Sequence, residues 1–369
     1  TCKRNILGIM IQSFVSLGVS TILWYAIGYS LCFSGSGPII GNFDKAFLIG
    51  VNSLSPFGEG LIPEFVFFAY QMMFAIITPA LITGAFTGRV SFKAYLIFLV
   101  AWQLFVYYPF VHMLWGDGIL AEWGVRDFAG GIVVHVTAGF AALASVIFVG
   151  ERKNKNSKPN SVPLVAVGTG LLWFGWYGFN AGSELQVDNI TVQAFVNTDI
   201  AASFAAITWL FIEWRKEKKP KFVGLMTGAV AGLATITPAA GFVPVWAAAI
   251  IGIASGIGCY YAVALKNKLN WDDALDVWGV HGVGNFIGTM LLGVFATLSL
   301  NPAGGEGLIT GNTSFFLKQL LTAIVAASYA FIFTYAMLWG INKITVVRVH
   351  DEHESTGLDK ALHDEDAYT

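Results

Sequence analysis

Ten long apolar blocks, separated by short polar segments, run through the 369 residues of this chain. A helix of about 20 residues, rising 1.5 Å per residue, crosses the roughly 30 Å hydrocarbon core of a bilayer. Only 12% of the residues are charged, whereas soluble domains average about 25%. Because a segment in lipid must satisfy its own backbone hydrogen bonds, we predict an all-α integral membrane protein with about ten transmembrane helices. The predicted helices cover residues 6–33, 61–87, 94–116, 127–149, 162–183, 194–214, 222–240, 243–265, 275–300 and 313–341.

Basic residues are divided unevenly between the two ends of these helices. When the connections are assigned alternately to two sides, 18 of the 21 Lys and Arg residues fall on one side. The other side has only Lys45, Arg126 and Lys318. Cytoplasmic loops carry an excess of Lys and Arg, so we predict that both ends of this chain are cytoplasmic. We divide the chain into a transmembrane domain, residues 1–344, and a cytoplasmic tail, residues 345–369.

The sequence lacks the features that are typical of several other classes of protein. The formal net charge of -2 gives no reason to expect nucleic acid as a partner. The sequence has no nucleotide-binding loop, GxSxG elbow or HExxH motif, so we predict that the protein is not an enzyme. Cys2, Cys32 and Cys259 do not have the spacing of a metal or redox site. We therefore expect no metal and no other cofactor.

Two histidines lie inside predicted membrane spans. His135 and His281 sit near the middle of blocks that run in opposite directions, and each follows an aspartate, Asp127 or Asp276. An ionisable residue at the centre of a span costs about 2.5 to 3.5 kcal/mol on insertion scales, so it is a candidate functional site. Matching polar positions on oppositely directed helices are typical of inverted-repeat transporters, which bind substrate between the repeats.

Two other interpretations of these histidines stay open. One intramembrane His often only bonds a neighbouring helix, and paired histidines on facing helices also ligate haem. The matched surroundings of the two residues favour a transport site, and the sequence offers no second histidine pair for another haem. The simplest role for Asp127 is to cap the beginning of its helix.

Aromatic side chains converge on the end of the spans opposite the basic loops. Tyr70 and Phe74 lie one turn apart, Trp115 ends the third block, and residues 176–183 end the fifth. Most aromatic residues in such a chain face lipid or the interface. A group of them at one mouth can hold a cation over its ring faces, with Ser183 and a backbone carbonyl accepting hydrogen bonds.

These segments resemble the Amt/Mep/Rh family of ammonium transporters, of the bacterial type, over almost the whole chain. The resemblance implies the inverted-repeat ammonium transporter fold, a plasma (inner) membrane location and a homotrimer with one pore per subunit. It also implies that the transported species is ammonium, ammonia or methylammonium. The implied partners are the membrane lipids and a trimeric signal protein of the PII type on the cytoplasmic face. The motifs that carry it are Asp127-Phe-Ala-Gly-Gly-Ile-Val-Val-His135, Gly175-Trp-Tyr-Gly-Phe-Asn-Ala-Gly-Ser183, Ala194-Phe-Val-Asn-Thr198, Thr237-Pro-Ala-Ala-Gly241 and Asp276-Val-Trp-Gly-Val-His-Gly282.

The same resemblance implies roles for individual residues. It assigns outer recruitment of the cation to Trp115, Phe74, Ser183 and the carbonyl of Ala129, beside Tyr70, which stands where many members have Phe. Phe74 and Phe179 correspond to a gate of stacked rings, and His135 and His281 to the pore pair. Structural support is expected from Asp127, Trp176 and Asn180.

The chain departs from the family pattern at its beginning. Members usually have eleven spans, and Lys3-Arg4-Asn5 resembles the end of a first helix that this sequence lacks. Ile132 also replaces a residue that is often Thr or Ser beside the aspartate. An ammonium sensor that signals through cytoplasmic partners is the alternative function, since the same pocket would serve it.

Overall fold

A computed structural model describes residues 3–58, 60–153 and 159–368, and within these ranges the chain is helical with no strand. Nine of its helices are long and apolar enough to cross a membrane. The all-α membrane fold is thereby confirmed. Cys2, Lys155 and Lys158, which entered the sequence predictions, lie outside the described residues. The nine helices are α1 (Lys3–Phe33), α2 (Glu64–Phe86), α3 (Phe92–Glu122), α4 (Gly131–Val149), α5 (Val162–Glu184), α6 (Asn189–Glu217), α8 (Val245–Lys268), α9 (Trp278–Phe295) and α10 (Thr313–Ile344).

A tenth, shorter helix corresponds to the seventh apolar block. This helix, α7 (Phe222–Ile236), has 15 residues. It ends before Thr237-Pro238, because a proline is poorly tolerated inside a helix, and residues 237–242 continue as turns. The tail adds two short helices, α11 (Asp351–Thr356) and α12 (Leu358–His363).

The loops gather on two opposite faces. Buried Arg89 donates to the carbonyls of Gly150 and Asp272, and Val90 pairs with Arg348, so three loops and the tail meet on one side. We call this side, formed by residues 87–91, 150–153, 269–277 and 345–368, the tail face. The other side, the vestibule face, is formed by residues 34–58, 60–63, 116–130, 185–188, 237–244 and 296–312.

Two helices begin with an unusual turn. Residues Gly131–Val136 of α4 and Trp278–Val283 of α9 form π-helical turns, which are rare in proteins and common at functional sites. The two predicted pore histidines lie in these turns. They are therefore close to the beginnings of their helices, whereas the apolar blocks had placed them near the middle of the spans.

Close backbone contact brings α4 and α9 together beside the histidines. A β-carbon added to Gly139 would lie 2.3 Å from the backbone nitrogen and Cα of Gly282. Real atoms do not approach that closely, so only glycine fits at Gly139. Gly139 is one helical turn beyond His135, and Gly282 follows His281 directly. The crossing therefore places the two imidazoles against each other.

Candidate functional site

The carboxylate of Asp127 organises the beginning of α4. It accepts hydrogen bonds from four backbone N–H groups, those of Gly130 and Gly131 at one oxygen and of Ile132 and Val133 at the other, over 2.7 to 3.1 Å. Gly130 has φ of +107°, a left-handed conformation that suits glycine. The first four N–H groups of a helix have no partner within it, and this one side chain satisfies them inside the protein.

His135 and His281 face each other in the centre of the structure. Their Nδ1 atoms are 3.2 Å apart, and the two rings are nearly parallel with centroids separated by 5.1 Å. Both side chains are buried, with 1% and 8% of their surfaces exposed. In such a contact one Nδ1 must donate and the other accept, so when both rings are neutral their Nε2 atoms differ: one is an acceptor and the other a donor. The Nε2 of His135 has no hydrogen-bond partner among the described residues.

This arrangement does not suit a haem iron held axially between the rings. Two axial imidazole nitrogens lie on opposite sides of a haem iron, about 2.0 Å from it, and are therefore about 4 Å apart, which exceeds the 3.2 Å found here. Within the described residues, there is also no group of three or more His, Cys, Asp or Glu side chains that could hold a metal. The pair can form hydrogen bonds to a small polar molecule that both donates and accepts them.

A stack of aromatic rings covers the histidines. The Phe179 ring lies 5.8 Å from His135 and 4.5 Å from Phe74, centroid to centroid. The Trp176 indole lies nearly parallel to His135 at 5.6 Å, and its Nε1 donates to the Thr237 hydroxyl at 2.9 Å. The two phenyl rings therefore lie between Trp115 and His135 in the series of ring contacts.

Above the phenyl rings is a cavity of about 320 Å³ on the vestibule face. Trp115 meets Phe74 edge to face at 5.6 Å, and its Nε1 donates to the backbone carbonyl of Asp127 at 2.9 Å, which fixes the indole in place. Ala129 is fully buried in the turn between Asp127 and Gly130. The residues lining the cavity include Phe67, Gln71, Trp115, Asp127, Ser183 and Asn301.

Hydrogen bonds hold the remaining predicted residues in place. The Tyr70 hydroxyl contacts the Ser183 hydroxyl at 3.0 Å and donates to the Phe179 carbonyl at 2.8 Å. Ser183 donates to the same carbonyl at 2.9 Å. Asn180, which is fully buried, donates to the Thr198 hydroxyl at 2.9 Å. A continuous series of ring contacts thus runs from Trp115 to His281, and the structure brings every predicted site residue into this series or directly beside it.

One acidic residue near the site was not singled out from the sequence. Asp273, which is only 3% exposed, accepts the backbone N–H of Trp278 at 2.8 Å, at the beginning of α9. Asp276, the aspartate that the sequence pattern had matched with Asp127, instead pairs with Lys266 at 2.7 Å. The signal was present in the spacing, because Asp273 precedes His281 by eight residues, as Asp127 precedes His135.

Comparison with known proteins gives consistent results. A sequence profile of the Ammonium Transporter Family matches residues 1–368. The chain is 42% identical to an ammonium transporter of Bacillus subtilis, over 99% of this chain and 91% of that one. The crystal structure of Candida albicans Mep2 matches with a TM-score of 0.85 and 36% identity, covering 92% of this chain and 78% of that one. A structure named "Sensor Amt Protein" matches with a TM-score of 0.87 and 30% identity, covering 97% and 90%.

Proposed function

This chain belongs to the Ammonium Transporter Family, and on that premise we propose that it recruits ammonium at the vestibule face, removes a proton, and passes ammonia along His135 and His281. The observation that carries this proposal is the pair of buried imidazoles, with Nδ1 atoms 3.2 Å apart, next to the contacting rings of Phe179 and Phe74. Methylammonium, which also carries N–H donors on a small cation, is expected to follow the same route.

Recruitment begins in the cavity of the vestibule face. A cation over the faces of Trp115 and Phe74 gains about 0.5 to 2 kcal/mol from each aromatic contact. The Ser183 oxygen and the Ala129 carbonyl accept hydrogen bonds from its N–H groups. Asp127 has a supporting role in this site. Its carboxylate accepts four backbone N–H bonds and so fixes the turn that carries Ala129.

The proton is removed because the closed pore cannot take the ion. Burying an isolated ammonium ion in an apolar passage costs far more than the aromatic contacts return. Neutral ammonia avoids most of that penalty. We place the loss of the proton at the gate, where Phe74 and Phe179 lie between the vestibule-face cavity and the buried histidines.

Beyond the gate, the imidazoles replace water as hydrogen-bond partners. Ammonia both donates and accepts hydrogen bonds, and a neutral His pair presents one donor and one acceptor nitrogen to the passage. The fixed contact between the Nδ1 atoms holds both rings in orientation. Trp176, stacked on His135 and bonded to Thr237, and Asn180, bonded to Thr198, hold the surrounding wall.

Replacing the histidines tests this mechanism. We expect His135→Leu and His281→Leu to abolish ammonium currents in proteoliposomes or to uncouple them from ammonia flux, because leucine has similar bulk without hydrogen-bonding nitrogens. His350→Leu, on the exposed tail, is the matched control and should behave as wild type. Currents of unchanged size and pH dependence in both pore variants would refute the histidine pathway.

The assembly and its surroundings follow from the same premise. We propose a homotrimer in the plasma membrane with the tail face in the cytoplasm, residues 1–344 forming the transmembrane domain and residues 345–369 the tail. The support is that 18 of the 21 Lys and Arg residues lie in the connections and chain ends on the same side as the tail. A PII-type signal protein is the proposed cytoplasmic partner. Co-purification with such a protein, and protection of the tail from external protease in sealed cells, are the tests.

A sensing role is the second candidate, since the chain is also similar to a structure named "Sensor Amt Protein". The same cavity would bind ammonium in either case. Flux separates the two: a transporter carries methylammonium into proteoliposomes, whereas a sensor binds it without measurable uptake. The extended line of ring contacts down to the histidines favours transport, because a sensor requires only the outer cavity.

A further inference from the structure

A second aspartate occupies the position of Asp127 in the other pore helix. Asp273 precedes His281 by eight residues and lies before the π-helical turn of α9, just as Asp127 lies before that of α4. Because α4 and α9 run in opposite directions, Asp127 is at the vestibule end of the histidine pair and Asp273 at the tail end. The two carboxyl groups therefore flank the pair from opposite sides.

Their hydrogen bonding differs. Both oxygens of Asp127 receive backbone N–H bonds, and these favour the ionised carboxylate. Asp273 Oδ2 accepts the N–H of Trp278, but its Oδ1 is buried and has no hydrogen-bond partner among the described residues. A charged oxygen without a donor is unfavourable in a buried place, whereas a protonated carboxyl is tolerated there.

Asp273 also lines a cavity of about 400 Å³ that opens on the tail face. Burial, followed by the negative charge of Asp276, raises the pKa of Asp273 from 3.8 to about 6, against the opposing effects of the Trp278 N–H, the charge of Lys266 and the Leu275 N–H. A pKa near 6 allows the group to gain and lose a proton close to neutral pH. The charged and titratable groups around it are Asp272, Asp276, Lys266, Arg152 and Arg89.

We propose that Asp273 is the proton donor at the tail end of the pore, which converts emerging ammonia to ammonium in the tail-face cavity; this rests on the proposed transport function. In this step the O–H bond of the Asp273 carboxyl breaks and a new N–H bond forms on ammonia. The products are an ammonium ion, which leaves through the cavity, and the Asp273 carboxylate. The carboxylate then takes a proton from a hydronium ion of the solvent in the cavity, which leaves a water molecule and completes the cycle without an oxidant or other reactant.

Infrared spectroscopy tests the protonation directly. In the full-length wild-type protein labelled with 13C-aspartate, we expect a protonated carboxyl band that disappears with a midpoint near pH 6. The band should persist in Asp276→Asn, with its midpoint moved to lower pH because the Asp276 charge raises the pKa of Asp273. It should shift in Asp273→Glu and be absent in Asp273→Asn. Asparagine keeps an acceptor for the Trp278 N–H, so this variant preserves the bond at the beginning of α9. A wild-type protein whose aspartates all titrate below pH 5 would overturn the proposal, even if Asp273→Asn fails to assemble.

Transport provides the second readout. With ammonium outside proteoliposomes and the internal pH varied on the tail side, wild-type uptake should fall about fivefold from pH 6 to pH 7, as the protonated fraction of a group with a pKa near 6 falls. Asp273→Asn should be slow and insensitive to internal pH, and Asp273→Glu should recover pH dependence. Asp273→Asn with a wild-type pH profile contradicts the proposal. No flux in wild type contradicts the transport function itself, while the infrared titration separately decides whether Asp273 holds a proton.

Discussion

Among single side chains, Asp127 has the densest set of interactions in the site. Its carboxylate serves four N–H groups that would otherwise be buried without partners, and its own carbonyl receives the Trp115 indole. A charged acceptor with several donors is worth more than separate neutral bonds, each of which contributes about 1 kcal/mol net. One residue thus fixes both the beginning of α4 and the aromatic wall above it.

We expect Asp127→Ala to lower the melting temperature and to abolish methylammonium uptake, since it leaves four buried N–H groups unbonded. Hydrogen bonds to a charged group contribute about 1.5 to 3 kcal/mol, so the loss should exceed that of an ordinary cap. Asp127→Asn, which retains one acceptor oxygen, should be less destabilised. Thermal unfolding in detergent measures the difference, and equal melting temperatures for wild type and Asp127→Ala would contradict this account.

The residues of the site were well anticipated, with one exception. His135, His281 and the aromatic residues were predicted because they are costly inside a span or match a family motif, and the structure places them together. Their individual roles stay predictions. Asp273 was missed because it lies outside the apolar block, where an acidic residue is unremarkable. The spacing of eight residues before the histidine is its only signal in the sequence, and the burial of its carboxyl at the beginning of α9 is what distinguishes it from Asp272 and Asp276 in the structure.

At the level of helices, hydropathy predicted the number and order of elements well. All ten blocks correspond to helices, because apolar length is a direct consequence of the bilayer thickness. The beginnings of α4 and α9 were less predictable. A π-helical turn adds one residue to a turn without changing the apolar character of the segment, so the pattern contains no signal for it.

The crossing of α4 and α9 gives a prediction for glycine. Gly139→Ala should separate the helices and disturb the 3.2 Å contact of the imidazoles, because the new β-carbon would lie 2.3 Å from the Gly282 backbone. We expect a lower melting temperature and at least tenfold slower uptake. Gly168→Ala on α5 is the matched control: nothing lies within 4 Å of its added carbon, and alanine favours a helix over glycine by about 1 kcal/mol. Comparable behaviour of the two variants would argue against a close crossing.

Across the whole molecule, an ion network joins the loops of the tail face. Arg89, fully buried, and Arg152 both contact the Asp272 carboxylate, at 3.4 and 2.7 Å. Partial burial acts to raise the pKa of Asp272, but the hydrogen bond and charge of Arg152 and the charge of Arg89 outweigh it and hold that pKa below 3.8. The tail joins the same face, since Asp359 accepts the N–H groups of Ile6, Leu7 and Gly8 at the beginning of α1.

The lowered pKa of Asp272 predicts how stability depends on pH. A carboxyl with a depressed pKa stabilises the folded protein above its unfolded value, and this contribution is lost as pH falls through the folded pKa. Asp272→Asn should therefore lower stability at pH 7 by on the order of 3 kcal/mol, as expected when one partner of a largely buried pair is removed. The gap in melting temperature between the variant and wild type should narrow below about pH 4. A gap that is constant from pH 7 to pH 3 would show that the charge of Asp272 does not matter.

The cap supplied by the tail gives another prediction. Asp359→Ala should release the tail, since loss of a helix cap costs about 0.5 to 2 kcal/mol, and limited proteolysis should cut the tail several times faster. Asp364→Ala, at an exposed position of the tail, serves as the control. Cleavage at the same rate in wild type, Asp359→Ala and Asp364→Ala would mean that the cap does not hold the tail in place.

The contact between the Phe74 and Phe179 rings has a consequence for the cell that houses the protein. With centroids 4.5 Å apart, the two rings are in contact. On the route proposed above, ammonia crosses at this contact, so each passage requires the rings to rotate aside and return. A route of this kind would deliver nitrogen one molecule at a time, and neither turgor nor membrane voltage would drain through it while external ammonium is scarce.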